Sequence, residues 1–105
     1  MTLQPVDAFR NCIPLFQALA DPARQDIIIL LSENVQLTVN EIADHSKLSR
    51  PAISHHLKIL RDNKLVSIEQ KGTQRLYSLH LNDAVDQLTI FIDMVRSTCP
   101  NFQRD

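Results

Sequence analysis

The chain has 105 residues, 44% of them hydrophobic and 22% charged, with a formal net charge of −1. That length fits one domain, residues 1–105, with a modest core and a thin stability margin. A single glycine argues against a β-rich, turn-dense fold; the longest apolar run, IIILL, is far too short to cross a membrane; and MTLQPVDAF lacks the basic-then-apolar pattern of a signal peptide.

Residues 7–19 read as a helix, with Phe9, Ile13, Phe16 and Ala20 at helical spacing. Pro14 within it either kinks that helix or opens a second short one. Asp21-Pro22 is a restart: Asp caps, Pro takes the first helical position, and the helix runs to about residue 32 with Ile27, Leu30 and Leu31 inward. Thr38 and Glu41 form a capping box for a short helix over residues 39–45 that buries Ile42 and Ala43. Ser49 caps the next helix, and Pro51 sits in its first turn, where its missing N–H has no intrahelical partner. That helix ends near Asp62, with Asn63 able to take the left-handed position. Residues 65–69 and 75–79 read as strands of a hairpin around Lys71-Gly72-Thr73. Asn82 caps a last helix to about residue 98, with Val85, Leu88, Phe91, Ile92 and Val95 on its apolar side and Pro100 beyond its end.

The near-neutral total hides an asymmetry. Residues 1–46 carry a balance of −4, residues 47–75 one of +5, and the remainder one of −2. A basic middle third is the footprint of a polyanion binder, or else a solvated face of mixed charge.

Ser46-Lys47-Leu48 joins two helices at the spacing of a helix-turn-helix. In the second of them Ile53, Leu57 and Leu60 share one face, which must pack inward. The opposite side then carries Pro51, Ser54, His55, Lys58 and Asp62, with Arg50 and Arg61 on one flank and His56 on the other. A DNA major groove admits such a helix and is read by side chains near its start. On that reading Ser54 reaches a base edge or a phosphate, Arg50 and His55 donate to guanine or phosphate, and Pro51 touches a thymine methyl. Lys58 and Arg61 hold phosphates, and Lys47 and Ser49 add polar groups nearby. His56, on the other flank, is a further candidate for DNA contact; the bland alternative leaves His55 solvated and makes His56 a half-buried structural residue. Lys71, Gln74 and Arg75 near the hairpin tip suit a wing that lies along the backbone or probes the minor groove, the alternative being an ordinary solvated hairpin.

With these motifs in place, the sequence resembles the ArsR family of bacterial winged helix-turn-helix repressors over residues 15–79. The family's "ALADPTR" segment stands as ALADPAR from Ala18 to Arg24, its "LSxxxVSHHLxxL" recognition helix as LSRPAISHHLKIL, and its wing ending "YxL" as Tyr77-Ser78-Leu79. The implied fold is mainly α with a small β-hairpin, in the order α-α-α-α-β-β-α. The resemblance also implies a homodimer paired through the first and last helices, here through Phe9, Ile13, Phe16, Leu88, Phe91, Ile92 and Val95. It implies a repressor that leaves a pseudo-palindromic operator on a signal, a small-molecule or redox effector whose identity the sequence does not give; the absence of an export signal or membrane span points separately to the cytoplasm and to no membrane partner.

Departures from the family narrow that signal. The Cys-x-Cys pair of metal-sensing members falls on Thr38 and Asn40. The last helix has Asp83, Asp86 and Asp93 but no histidine, with His80 just before it, so neither metal site is expected. The turn's usual glycine is Lys47, which would be strained if left-handed. Cys12 and Cys99 fall on the two elements expected to pair; they form either a thiol switch or two inert thiols, reduced in a cytosol. No phosphate loop, metal-ligand cluster or nucleophile–base set is visible, so neither catalysis nor a cofactor is expected. A winged-helix module that contacts protein in place of DNA is the second reading, kept open by the near-neutral charge and acidic ends.

Overall fold

The computed structural model describes residues 4–98. Along it run α1 (Pro5–Asn11), α2 (Ile13–Leu19), α3 (Pro22–Ser32), α4 (Val39–Asp44), α5 (Arg50–Asp62), β1 (Val66–Lys71), β2 (Gln74–Leu79) and α6 (Asn82–Thr98). This is a winged helix-turn-helix, with one helix more than the expected order because Pro14 breaks residues 7–19 in two. Cys12 ends α1 at φ −87° and ψ −7°, and α2 begins with the proline in its first turn, where no intrahelical N–H is needed.

The start signals act as their chemistry dictates. The Asp21 carboxylate accepts from the N–H of Ala23 at 2.8 Å and of Arg24 at 3.4 Å. The capping box closes in both directions: the Glu41 N–H donates to Thr38 Oγ1 at 3.2 Å, and the Thr38 N–H donates to Glu41 Oε1 at 2.9 Å. Ser49 Oγ accepts from the Ala52 N–H at 3.3 Å. Asn82 departs from expectation: it lies inside α6, whose first turn closes from the Val85 N–H to the Leu81 carbonyl at 2.8 Å.

The core centres on α5. Ile53, Leu57 and Leu60 are fully buried among Leu15, Ala18, Ile27, Leu31, Ile42 and Leu65. The hairpin is tied to this core twice. Leu37 and Tyr77 exchange backbone hydrogen bonds of 2.9 and 2.7 Å, and the His80 N–H donates to the Leu65 carbonyl at 2.9 Å. The antiparallel register pairs Val66 with Leu79 and Lys71 with Gln74, so the strands run up to a two-residue turn, Gly72-Thr73. Gly72 takes φ 61° at the first turn position, where an L side chain would be strained.

The apolar stripe of residues 7–19 divides. Ala8, Cys12, Leu15 and Ala18 are buried, whereas Phe9, Ile13 and Phe16 remain 51%, 45% and 40% exposed. Helix α6 lies against α1, with the Phe91 ring edge-on to Phe9 at 4.6 Å and to Phe16 at 5.7 Å. The stripes of the first and last helices therefore cover each other in part within one chain.

Two backbone expectations are corrected. Asn63 keeps φ −97° as the C-cap of α5 and holds the helix end through its side chain, Nδ2 donating to the Ile59 carbonyl at 2.8 Å. The left-handed residue is the next one, Lys64, at φ 59°. Among the described residues no other non-glycine has positive φ, so Lys47 carries no such strain. The helix-turn-helix bend is held instead by the Leu48 N–H donating to Ser46 Oγ at 3.0 Å.

Because Lys64 is left-handed and exposed, Lys64→Gly should raise stability by about 0.5–1 kcal/mol, the relief of strain exceeding the entropy cost of glycine. Urea denaturation with unchanged m-value checks this; a lower midpoint would contradict it.

Candidate nucleic-acid interface

Burial of Ile53, Leu57 and Leu60 fixes the rotation of α5 about its axis and so decides what it shows to solvent. Arg50, Pro51, Ser54, His55, Lys58 and Arg61 all stand exposed, as does the cap Ser49. The Ser49 hydroxyl oxygen is engaged with the Ala52 N–H, which leaves its own proton free to be donated. No part of the chain among the described residues covers this face. Lys71, Gln74 and Arg75 are likewise exposed around the hairpin tip.

The wing and the recognition helix meet at a cleft of about 250 Å³ lined by Arg50, Gln74 and Arg75 together with Thr38, Val39, Asn40 and Thr73. Two guanidinium groups on one cleft favour an anionic guest. The first turn of α4 forms its third wall. Sequence reasoning missed Thr38, Asn40 and Thr73 as members of this surface. Thr38 is legible in the sequence as a helix cap, and Thr38 and Asn40 as the positions of the family's Cys-x-Cys pair, but neither as part of this surface; the wing's fold back over α4 depends on the Leu37–Tyr77 pairing, which has no local signature. Lys47 is not in the cleft. It lies in the turn, exposed, on a wider groove of about 690 Å³ shared with Asp26 and Ile29 of α3 and with Glu33, which follows that helix.

His56 is the residue whose environment differs most from the rest. It is half-buried, and its Nδ1 lies 3.3 Å from Nη1 of Arg24. Arg24 also donates from Nε to the Ala18 carbonyl at 2.8 Å and from Nη2 to the Gln17 carbonyl at 3.0 Å. Gln25 adds a bond from Nε2 to the Leu19 carbonyl at 2.7 Å. The end of α2, which has no glycine, is thus capped by side chains of α3, with a cation at its negative pole. Asp21 Oδ2 completes the corner 3.8 Å from Nη1 of Arg24. Partial desolvation pushes the Asp21 carboxyl up, but the N–H donors of Ala23 and Arg24 and the positive charge of Arg24 outweigh it and hold the group below its ordinary 3.8. The backbone and hydroxyl donors of Thr38 likewise depress Glu41, against a smaller opposing desolvation.

The other candidates separate cleanly. Cys12 is buried at the α1–α2 junction with Sγ 3.9 Å from the Gln87 carbonyl, packed as a small apolar group; Cys99 lies outside the described residues. Leu88 packs on the core, Phe91 and Val95 are half-buried, and Ile92 is exposed. Among the described residues no group of three or more His, Cys, Asp or Glu is placed to hold a metal, and no helix is long and apolar enough to cross a membrane.

A family model for bacterial regulatory proteins of the arsR family matches residues 21–67, from the Asp21 cap into β1. The transcriptional repressor SdpR of Bacillus subtilis (strain 168) is 38% identical over 82 residues, which span 75% of this chain and 90% of that protein. The chain belongs to the ArsR family. It is a DNA-binding transcriptional regulator of the winged helix-turn-helix class. In fold, it resembles an ArsR-like transcriptional regulator from Rhodococcus sp. RHA1, with a TM-score of 0.77 at 23% identity over 92% of this chain and 84% of that one. A winged helix-turn-helix DNA-binding domain from Mycobacterium bovis, itself described as homodimeric, aligns over 100% of this chain and 95% of its own with a TM-score of 0.67 at 20% identity. The family match begins at the corner where Asp21 caps α3 and Arg24 caps α2, so the ArsR segment opens on this joint between the two helices.

Because folding depresses Asp21, its charge contributes stability in full above 3.8, and that contribution is lost as pH falls through the lower folded value. Asp21→Asn keeps the capping acceptor without the charge. The variant should therefore melt below wild type at neutral pH, and the gap should close only on acidification below 3.8. Parallel melting curves across that range test this; a gap unchanged at the acidic end would contradict it.

Proposed function

We propose that the chain, residues 1–105, is one winged-helix domain acting as a homodimeric repressor in the cytoplasm. It binds a pseudo-palindromic operator and is released by a small-molecule or redox signal. The observation that carries this reading is the uncovered outer face of α5, continuous through Arg50 with the Arg75 side of the wing. In this arrangement Arg50, Pro51, Ser54 and His55 address base edges. Lys58, Arg61 and Lys47 address phosphates, as do Lys71, Gln74 and Arg75 from the wing. Ser49 donates its hydroxyl proton to a phosphate, and His56 stands behind the reading face.

Two features support a paired molecule. Val6, Phe9, Ile13, Phe16, Val85 and Ile92 leave apolar surface exposed along α1, α2 and α6. The radius of gyration is 16.6 Å, against about 13 Å for a compact chain of this length. A two-fold pairing through those helices buries the surface and sets two recognition helices about one DNA turn, roughly 34 Å, apart.

DNA affinity should fall with salt at a log–log slope of about −0.9 per neutralised phosphate. Lys58→Ala should weaken all duplexes alike and make that slope shallower by about one phosphate. Arg50→Ala or Ser54→Ala should also relax sequence preference, by about 1–3 kcal/mol at the affected base pair. Fluorescence anisotropy over a salt series reads all three; salt-independent or absent binding would overturn the reading. Separately, Ile92→Asp should convert the dimer to monomer in sedimentation equilibrium with helix content retained, since Ile92 is 47% exposed in a single chain.

A further inference from the structure

The contact between Arg24 and His56 joins the α2–α3 corner to the recognition helix. A guanidinium has donors only, so at 3.3 Å from Nη1 the His56 Nδ1 must accept. The ring is then neutral, with its proton on Nε2. Arg24 is itself anchored by the carbonyls of Ala18 and Gln17 and shielded, its side chain 13% exposed. It cannot follow a displaced histidine without uncapping α2.

Resting on the DNA-binding reading above, we propose that Arg24 and His56 are positioning residues, a latch that sets the recognition helix for specific contacts and holds only while His56 is neutral. The proton that closes Nδ1 removes the acceptor and brings two cations face to face. The charged and titratable groups facing His56 are Arg24 and Asp21 from α3 and, on its own helix, His55, whose ring lies 5.8 Å away. The Ala18 and Gln17 carbonyls of α2 face the Arg24 guanidinium and carry no charge. Asp21 is 3.8 Å from the same Nη1 and offsets part of the repulsion, but it supplies no acceptor to replace Nδ1 on the helix. Acidification therefore breaks the His56 tie between α5 and the corner, while the buried Ile53, Leu57 and Leu60 face still holds the helix in the core. The added charge strengthens attraction to any duplex, while the loosened helix loses discrimination. The signature is a fall in the ratio of specific to non-specific affinity.

The test uses a duplex enriched from a random library at about pH 8 and a scrambled duplex of equal length; comparing them cancels the general gain in charge. For the wild type the affinity ratio should drop about tenfold between about pH 8 and about pH 5.5, the scale of one lost hydrogen bond to a charged group. His56→Gln retains an acceptor at every pH and keeps His55, so its ratio should stay flat; His56→Phe should be low throughout. Melting curves at both pH values confirm folding. A wild-type ratio that does not change, or a His56→Gln ratio that falls in parallel, overturns the latch. Imidazole ¹⁵N spectra without DNA decide the latch independently: the Nε2–H tautomer of His56 at about pH 8 supports it, and the Nδ1–H tautomer overturns it. If no duplex is enriched, the DNA-binding reading fails while this spectrum still rules on the latch.

Discussion

The orientation of one helix governs the rest of the molecule. Ile53, Leu57 and Leu60 are exposed by no more than 1%, and each such burial contributes about 1.5–3 kcal/mol. Turning α5 by one residue, about 100°, would bring the Ile53, Leu57 and Leu60 side chains out and drive charged ones in. No gain on the polar side could offset that. The side chains offered to a groove are therefore selected by the apolar ones behind them. The tie between Leu37 and Tyr77 extends the constraint to the wing, because it fixes the hairpin against the loop entering α4 and so brings Arg75 beside Arg50.

What could be read in the sequence follows from this locality. Helix starts at Asp21, Thr38 and Ser49 depend on a side chain and a backbone N–H two or three residues away, and each has the expected partner. The inward stripe of α5 depends only on helical period. The left-handed residue was placed one position early, at Asn63, because asparagine tolerates that conformation best; here it spends its side chain on Ile59 and the strain passes to Lys64. Lys47 shows the converse, a family glycine position that needs no positive φ in this chain. The cleft and the α2–α3 corner were not legible, since they arise from pairings far apart in the chain. Arg24 and His56 are 32 residues apart, and Leu37 and Tyr77 pair through backbone groups that any sequence has.

The Asp21-Pro22-Ala23-Arg24 corner shows how little chain such a joint requires. The aspartate satisfies the first N–H groups of α3, the proline needs no partner, and the arginine satisfies the last carbonyls of α2. Two helix ends that would otherwise rely on water are closed by side chains from one turn. Arg24 also lies 3.3 Å from His56, so the corner touches α5 as well as closing the end of α2. Phe91, edge-on to both Phe9 and Phe16, joins α6 to α1 and α2 at the far end of the same unit.

A net charge of −1 is no obstacle to binding a polyanion once distance is considered. At physiological ionic strength the field of a charge decays over about 8 Å, and the molecule is 52 Å along its longest axis. Asp83, Asp86 and Asp93 belong to α6, which packs chiefly against α1. Within the basic third itself, Asp62 closes α5 at the end opposite Arg50, about 18 Å away along the helix axis. An approaching phosphate therefore meets the local surplus of +5 and not the total. The acidic remainder meets the basic third at its margins, Asp26 and Glu33 beside Lys47 and Asp83 and Asp86 beside Lys64. It keeps the chain as a whole near neutrality, which limits the non-specific affinity that a uniformly basic regulator would have for all DNA, and leaves discrimination to the few groups on α5 and the wing.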